Sequence, residues 1–148
     1  MERLESSAVV SRPIADVWAA HQDLGLLERV SLPYPIVEVL DKPPFYGLAS
    51  RFTVRLSLVP HLAAIDWQVE IVRFEPPERF VDRQVSGPFR FWEHTHAFSA
   101  LTPERTLVVE SVLFEFNPLL DEPLLRPVLE GVFAWRTERL VEELGRPR

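Results

Sequence analysis

The feature that most constrains this chain is a change of period. Between residues 51 and 116 apolar side chains recur at every second position, and between residues 125 and 144 at every third or fourth. In "ASRFTVRLSLV" (49–59), Phe52, Val54, Leu56 and Leu58 fall on one face and Arg51, Thr53, Arg55 and Ser57 on the other. In "AAIDWQVEIVRF" (63–74), Ile65, Trp67, Val69 and Ile71 oppose Asp66, Gln68 and Glu70. One wet face and one apolar face mark antiparallel sheet. "RFVDRQV" (79–85) reads as a shorter, more polar strand. "PFRFWEHTHAFSAL" (88–101) and "TLVVESVLFEF" (106–116) follow, joined by the hairpin-sized "TPER". Then Leu125, Leu129, Val132, Phe133, Arg136, Leu140 and Leu144 form a helical stripe ended by Gly145 and Pro147. That helix of about twenty residues is about 30 Å long.

The segment before residue 51 completes the order. Ala8, Val9 and Val10 have strand character. In "SRPIADVWAAHQD" (11–23), Ser11 can cap a helix, Pro13 suits its first turn, and Ile14, Val17, Trp18 and His21 share its face. "LGLLERVSLPYP" (24–35) predicts a second short helix, broken by Gly25 before it and by Pro33 and Pro35 after it. "PIVEVLDKPP" (35–44) is a short strand. The expected fold is α+β: one strand, two short helices, six more strands and a long helix. A single curved antiparallel sheet must cover its apolar face, and only the terminal helix is large enough.

Composition narrows the function. The 148 residues suit one domain, taken as residues 1–148. Net charge is −6, with 16 basic against 22 acidic residues and no basic cluster, so nucleic-acid binding is not expected. No apolar run reaches the roughly 20 residues of a transmembrane helix. The first residues, "MERLESSAVV", lack a signal peptide's basic and apolar regions. The absence of cysteine removes disulfides, thiolate catalysis and cysteine metal ligands. A cytoplasmic protein, monomeric or homodimeric, is the expectation.

Four stretches resemble the SRPBCC superfamily of START-related lipid-binding domains, pollen-allergen-like proteins and polyketide cyclase/dehydrase-like proteins. "SRPIADVWAAHQD" is similar to the family's entry into its first helix. "GPFRFWEHTHAF" (87–98) resembles the Gly-Pro-Phe, Trp, His-Thr-His, Phe string of one bacterial branch. "TLVVESVLFEF" resembles the strand that follows it, with Glu110 where that branch carries Asp. "FAWRTERL" (133–140) is similar to the branch's Phe-x-x-Arg terminal helix. The resemblance implies a helix-grip fold, in which about seven curved strands wrap the C-terminal helix and leave an elongated cavity. It implies binding of a hydrophobic small molecule such as a lipid, isoprenoid or polyketide. The alternative is a cyclase/dehydrase-type enzyme with His94 or His96 as general acid/base. A third reading is an accessory module docking a partner through its long helix or strand edges.

"FWEHTHAF" (91–98) carries the chemistry. Side chains alternate across a strand, so Trp92, His94, His96 and Phe98 share a face, taken as inward. A hairpin turning at 102–104 sets His96 opposite Glu110 and His94 opposite Val112, with opposed Cβ atoms about 5 Å apart. The His96–Glu110 pair has several readings: a hydrogen bond pinning the hairpin, a polar contact for a ligand head group, or proton transfer. His-x-His on one strand also has metal-ligand spacing, but zinc needs a third protein ligand. Glu110 is the only nearby candidate, with His21 and His61 in other elements, so neither a metal nor another cofactor is expected. Phe52, Trp67, Val69, Trp92, His94, His96, Glu110, Phe133 and Arg136 are the expected ligand-binding residues. Arg136 sits on the apolar stripe, either reaching for solvent or meeting an acidic ligand group. Trp18 reads as an anchor of the first helix, and Trp135 as partly exposed.

Overall fold

A computed structural model of the protein describes residues 1–31, 36–41, 47–57, 64–119 and 122–145; Leu58, His61 and Pro147 lie outside these. The elements are β1 (Glu2–Val10), α1 (Ile14–His21), α2 (Gly25–Ser31), β2 (Ile36–Val39), β3 (Arg51–Ser57), β4 (Ala64–Glu75), β5 (Arg79–Ser86), β6 (Phe89–Thr102), β7 (Arg105–Phe116) and α3 (Glu122–Leu144). The order matches the one the periodicities predict. The strands form one curled antiparallel sheet in the order β1-β7-β6-β5-β4-β3-β2. Strands β2 to β7 follow one another as a meander, while β1 pairs with β7 and forms one edge. This is the helix-grip α+β architecture.

Two-residue alternation decides which face the sheet buries. On β7, Thr106, Val108, Glu110, Val112, Phe114 and Phe116 are buried, and the residues between them are half-buried or exposed. On β6 the buried set is Trp92, His94, His96 and Phe98, so the inward orientation expected for this face is correct. On α3, Phe133, Leu140 and Leu144 are buried, and Leu125, Leu129, Val132 and Arg136 are half-buried along the same stripe. Phe133 meets the sheet through Trp92, with ring centroids 6.1 Å apart. Trp18 anchors α1 by packing on Phe74, Phe80 and Phe98 at 5.2, 5.8 and 6.1 Å. Trp135 faces outward at 43% exposure. No helix of the described residues is long and apolar enough to cross a membrane.

The ends of α3 are tied to β1 and its following turn in different ways. At the C-terminal end Gly145 has φ +103°, and its N–H donates to the Val141 carbonyl at 2.8 Å. That left-handed residue, at no steric cost in glycine, closes the helix. The Gly145 carbonyl accepts the Ser11 N–H at 3.1 Å, and the Leu144 carbonyl accepts Arg12 Nε at 2.9 Å. The Thr106 hydroxyl donates to the Arg12 carbonyl at 2.8 Å, fixing this clasp to β7. At the other end Arg126 pairs with Glu2 on β1 and with Glu130 one turn on. One local expectation fails: Pro13, not Ser11, occupies the N-cap of α1, and no side chain caps it. The fixed φ of proline starts the helix, and the chain at Ser11 and Arg12 bonds to the end of α3 instead.

Candidate functional site

The β6–β7 hairpin turns at Pro103 and Glu104, with Thr102 opposite Arg105. The register sets His96 opposite Glu110 and His94 opposite Val112, as the length of the connection predicts. On the other side of β6, β5 sets Asp82 opposite His94 and Phe80 opposite His96. Three neighbouring strands thus bring Asp82, His94, His96 and Glu110 together on the inward face. Their relative exposures are 8, 5, 7 and 9%, deep burial for groups of this polarity.

The two imidazoles lie nearly face to face, with centroids 3.9 Å apart at 33°. His96 stacks on its other side against Phe80 at 4.2 Å and 13°, and His94 presents an edge to Phe133 at 5.5 Å. Each carboxylate faces one edge of the imidazole pair. Asp82 Oδ2 lies 3.0 Å from His96 Nε2 and 3.9 Å from His94 Nδ1. Glu110 Oε2 lies 3.4 Å from His94 Nε2, and its Oε1 lies 3.8 Å from His96 Nδ1. The hydrogen bond in this cluster joins His96 to Asp82. His94 Nε2 and His96 Nδ1 are buried without a hydrogen-bond partner. The anticipated His96–Glu110 hydrogen bond is therefore replaced by His96–Asp82, although the register behind the expectation holds.

Burial and neighbouring charge set the protonation of the cluster. Burial pushes the His96 imidazole below its ordinary value, and His94 beside it adds to the effect; the Asp82 carboxylate opposes both. Burial alone would raise the Glu110 carboxyl, but the Arg136 guanidinium and the two imidazoles outweigh it and hold the group well below the usual carboxylate range. Arg136 lies over the Phe133 ring at 5.1 Å with its Nε buried and unpartnered. The guanidinium acts on a buried carboxylate of the protein, Glu110. His21, from α1, also faces this region. Its Nδ1–H donates to the Val17 carbonyl at 2.8 Å, and burial lowers its pKa to about 4. The remaining ring nitrogen is a buried acceptor without a partner.

Between the sheet and α3 lies a cavity of about 360 Å³, within the size range of small-molecule sites. Phe52, Trp67, Val69 and Trp92 line it from the sheet, and Phe133 and Arg136 from the helix. His94, His96 and Glu110 line it as well, so the structure gathers every residue anticipated for ligand contact. Sequence reasoning missed Asp82 and His21, which also face the cavity. The helical spacing of Ile14, Val17 and His21 put His21 on the packed face of α1, but not its position over β6. For Asp82 the available signal was parity, since it stands two residues after Phe80 on a strand bordering the histidine strand. The walls are mainly apolar, and the polar groups gather on the adjoining strands β5, β6 and β7, with His21 and Arg136 facing them.

Comparison with known proteins agrees with this architecture. The sequence model of the family described as "Polyketide cyclase / dehydrase and lipid transport" matches residues 10–141. No curated protein sequence matches the chain. Among solved structures, a Chromobacterium violaceum protein superposes with a TM-score of 0.77 at 11% identity, covering 99% of this chain and 100% of its own. The Zhui aromatase/cyclase of Streptomyces sp. R1128 gives a TM-score of 0.73 at 18% identity, with 97% and 93% covered. A START superfamily protein of Mycobacterium smegmatis gives 0.67 at 10% identity, with 96% of each chain covered. At these identities the likeness concerns the fold. The sheet gripping α3, the cavity between them and a family match running from β1 into the last turns of α3 lead to one assignment: the chain belongs to the polyketide cyclase/dehydrase and lipid transport family.

Proposed function

We propose that the protein binds a hydrophobic small molecule in the cavity between the sheet and α3, with the ligand's polar group at the Asp82–His94–His96–Glu110 end. The observation that carries this reading is the distribution of polarity around the cavity. Phe52, Val54, Trp67, Val69 and Leu129 supply apolar wall, and the buried polar groups converge on one region. An apolar ligand gains about 25 cal/mol for each Å² it removes from water, before the cost of association. The polar end fixes which way round it lies. Beside the Arg136 guanidinium, the acceptors there are two carboxylates and the free ring nitrogen of His21. A ligand carrying hydroxyl or phenol groups suits them better than one ending in a carboxylate.

The test is extraction of the purified protein with organic solvent and mass spectrometry of the extract, alongside binding of a fluorescent long-chain alcohol probe followed through Trp67 and Trp92. Wild type is expected to bind one probe molecule per chain. Leu129→Trp, which fills the cavity from the half-buried face of α3, is expected to keep its fold and lose the probe. Absence of both extracted lipid and probe binding in wild type refutes the reading. A second reading, proton transfer in a cyclisation or dehydration, is favoured by the His96–Asp82 hydrogen bond, since a base held by a carboxylate is a common catalytic arrangement. Equal turnover of a reactive polyketone by wild type, His94→Ala and His96→Ala removes it.

A further inference from the structure

The donor count at the polar end of the cavity does not balance. While both rings are neutral, the two imidazoles have two N–H groups and two lone pairs. Here all four nitrogens face carboxylate oxygens at 3.0 to 3.9 Å. Two ring edges must therefore present a lone pair to an acceptor, inside a site that water reaches poorly. His94 Nε2 and His96 Nδ1 show the deficit directly: the side chains are 6% and 10% exposed, and neither atom has a hydrogen-bond partner.

A single cation on the Asp82 side resolves it. With an ion held by His94 Nδ1, His96 Nε2 and Asp82 Oδ2, each ring's proton moves to the opposite nitrogen. Both N–H groups then point at Glu110, at 3.4 and 3.8 Å. Histidines that bind metal through one nitrogen almost always donate the other N–H to a carboxylate, carbonyl or water, and Glu110 stands where that acceptor is needed. The spacing agrees. One ligand atom from each of Asp82, His94 and His96 lies within 4.8 Å of the other two. A tetrahedral ion with bonds of about 2.0–2.2 Å holds its ligand atoms about 3.3 Å apart. The observed 3.0 and 3.9 Å from Asp82 Oδ2 to the two imidazoles straddle that value, and the ligand atoms, all within 4.8 Å of one another, close by at most about 1.5 Å as an ion enters. Two histidines and one carboxylate make a set that leaves a coordination position open, and all three side chains line the cavity.

We propose that Asp82, His94 and His96 form a site for a divalent transition-metal ion of the zinc class, with Glu110 accepting the outer N–H of both histidines and the open position facing the cavity. The sequence argued against a metal because it supplied no third ligand besides Glu110. The β5–β6 register supplies Asp82, and Glu110 takes the supporting place. This goes beyond binding of an apolar molecule, which needs no ion, so either idea can fail alone.

The experiment is titration of the chelator-treated full chain with Zn²⁺ by calorimetry and with Co²⁺ by visible absorption. Wild type is expected to take one ion per chain, with Co²⁺ giving the intense bands of a low-coordinate N/O site. Asp82→Asn, close in shape, is expected to weaken binding at least about 100-fold, and Glu110→Gln about 10- to 100-fold. Arg55→Gln, exposed on β3 and outside the cavity lining, is expected to bind as wild type. Should Asp82→Asn fail to fold, proton NMR of the Co²⁺ wild-type protein decides. Two strongly shifted N–H resonances that vanish in heavy water are expected, one from each histidine. No stoichiometric ion in wild type, unweakened binding by folded Asp82→Asn, or fewer than two such resonances overturns the proposal.

Discussion

Protonation of His21 couples the fold to pH with a calculable size. In the folded chain its pKa is lowered to about 4 from an ordinary value of 6.5. The cause is burial first, then the His96 imidazole, with the Arg136 guanidinium a smaller push in the same direction. The Val17 carbonyl and Glu110 oppose these. A base whose pKa is depressed on folding binds fewer protons folded than unfolded. The penalty is therefore absent above about pH 6.5, grows as pH falls and is complete near pH 4. Between pH 7.5 and 4.5 it comes to about 2–3 kcal/mol. His96, lowered for the same reason, and Glu110, held low, respond to acid in the same direction, so wild-type stability alone does not isolate His21. His21→Gln does: it cannot titrate. Urea unfolding of both proteins across this range is expected to give curves that converge as pH falls, the wild type losing about 2–3 kcal/mol more than the variant. Parallel curves would show that the ring is hydrated or protonated in the folded state, and the burial argument would fail.

Two further outcomes follow from contacts around the cavity. A Cβ added at Gly87 would lie 2.6 Å from Gln84 Oε1 and 2.7 Å from Trp67 Cδ1; Gly87→Ala is expected to cost about 1–3 kcal/mol in urea unfolding and to shift Trp67 emission, and unchanged values refute the close approach. Arg136→Met removes the main charge that lowers the Glu110 carboxyl. Its titration, read from the side-chain carbon by NMR, is expected to move upward, and the stability that Glu110 contributes above its ordinary value of 4.5 is expected to shrink; an unmoved midpoint denies that Arg136 acts on it.

What the sequence made legible follows the physics of each element. The β6–β7 pairing was readable because four residues connect the strands and fix the register, and His96 duly faces Glu110. The stripe on α3 was readable because burial on one side of a helix imposes a period of three to four. The β5–β6 pairing was not. At that turn the Gln84 side chain bonds the backbone of Phe89 in both directions, at 2.8 and 3.3 Å, in place of an ordinary ladder. Phe80, Val81 and Asp82 are buried in succession on β5, and the partner β4 carries an irregularity between Ile71 and Arg73. Alternation is blurred there, so the parity of Asp82 with Phe80, the one signal for the acid that completes the cluster, does not stand out from its neighbours. His21 obeyed its helical spacing, but its partners depend on how α1 docks, which spacing does not encode.

The fastenings of α3 differ in kind, and so does their response to solvent. At Leu144 and Gly145 the helix is held through backbone carbonyls, and the Arg12 carbonyl ties the same turn to β7. At Arg126 it is held to β1 by an ion pair whose side chains remain about a third exposed or more, and such pairs weaken as electrolyte rises. The helix thus has a backbone anchor near residue 145 and, near residue 126, a latch that ionic strength can loosen, beside Leu125 and Leu129, which line the cavity.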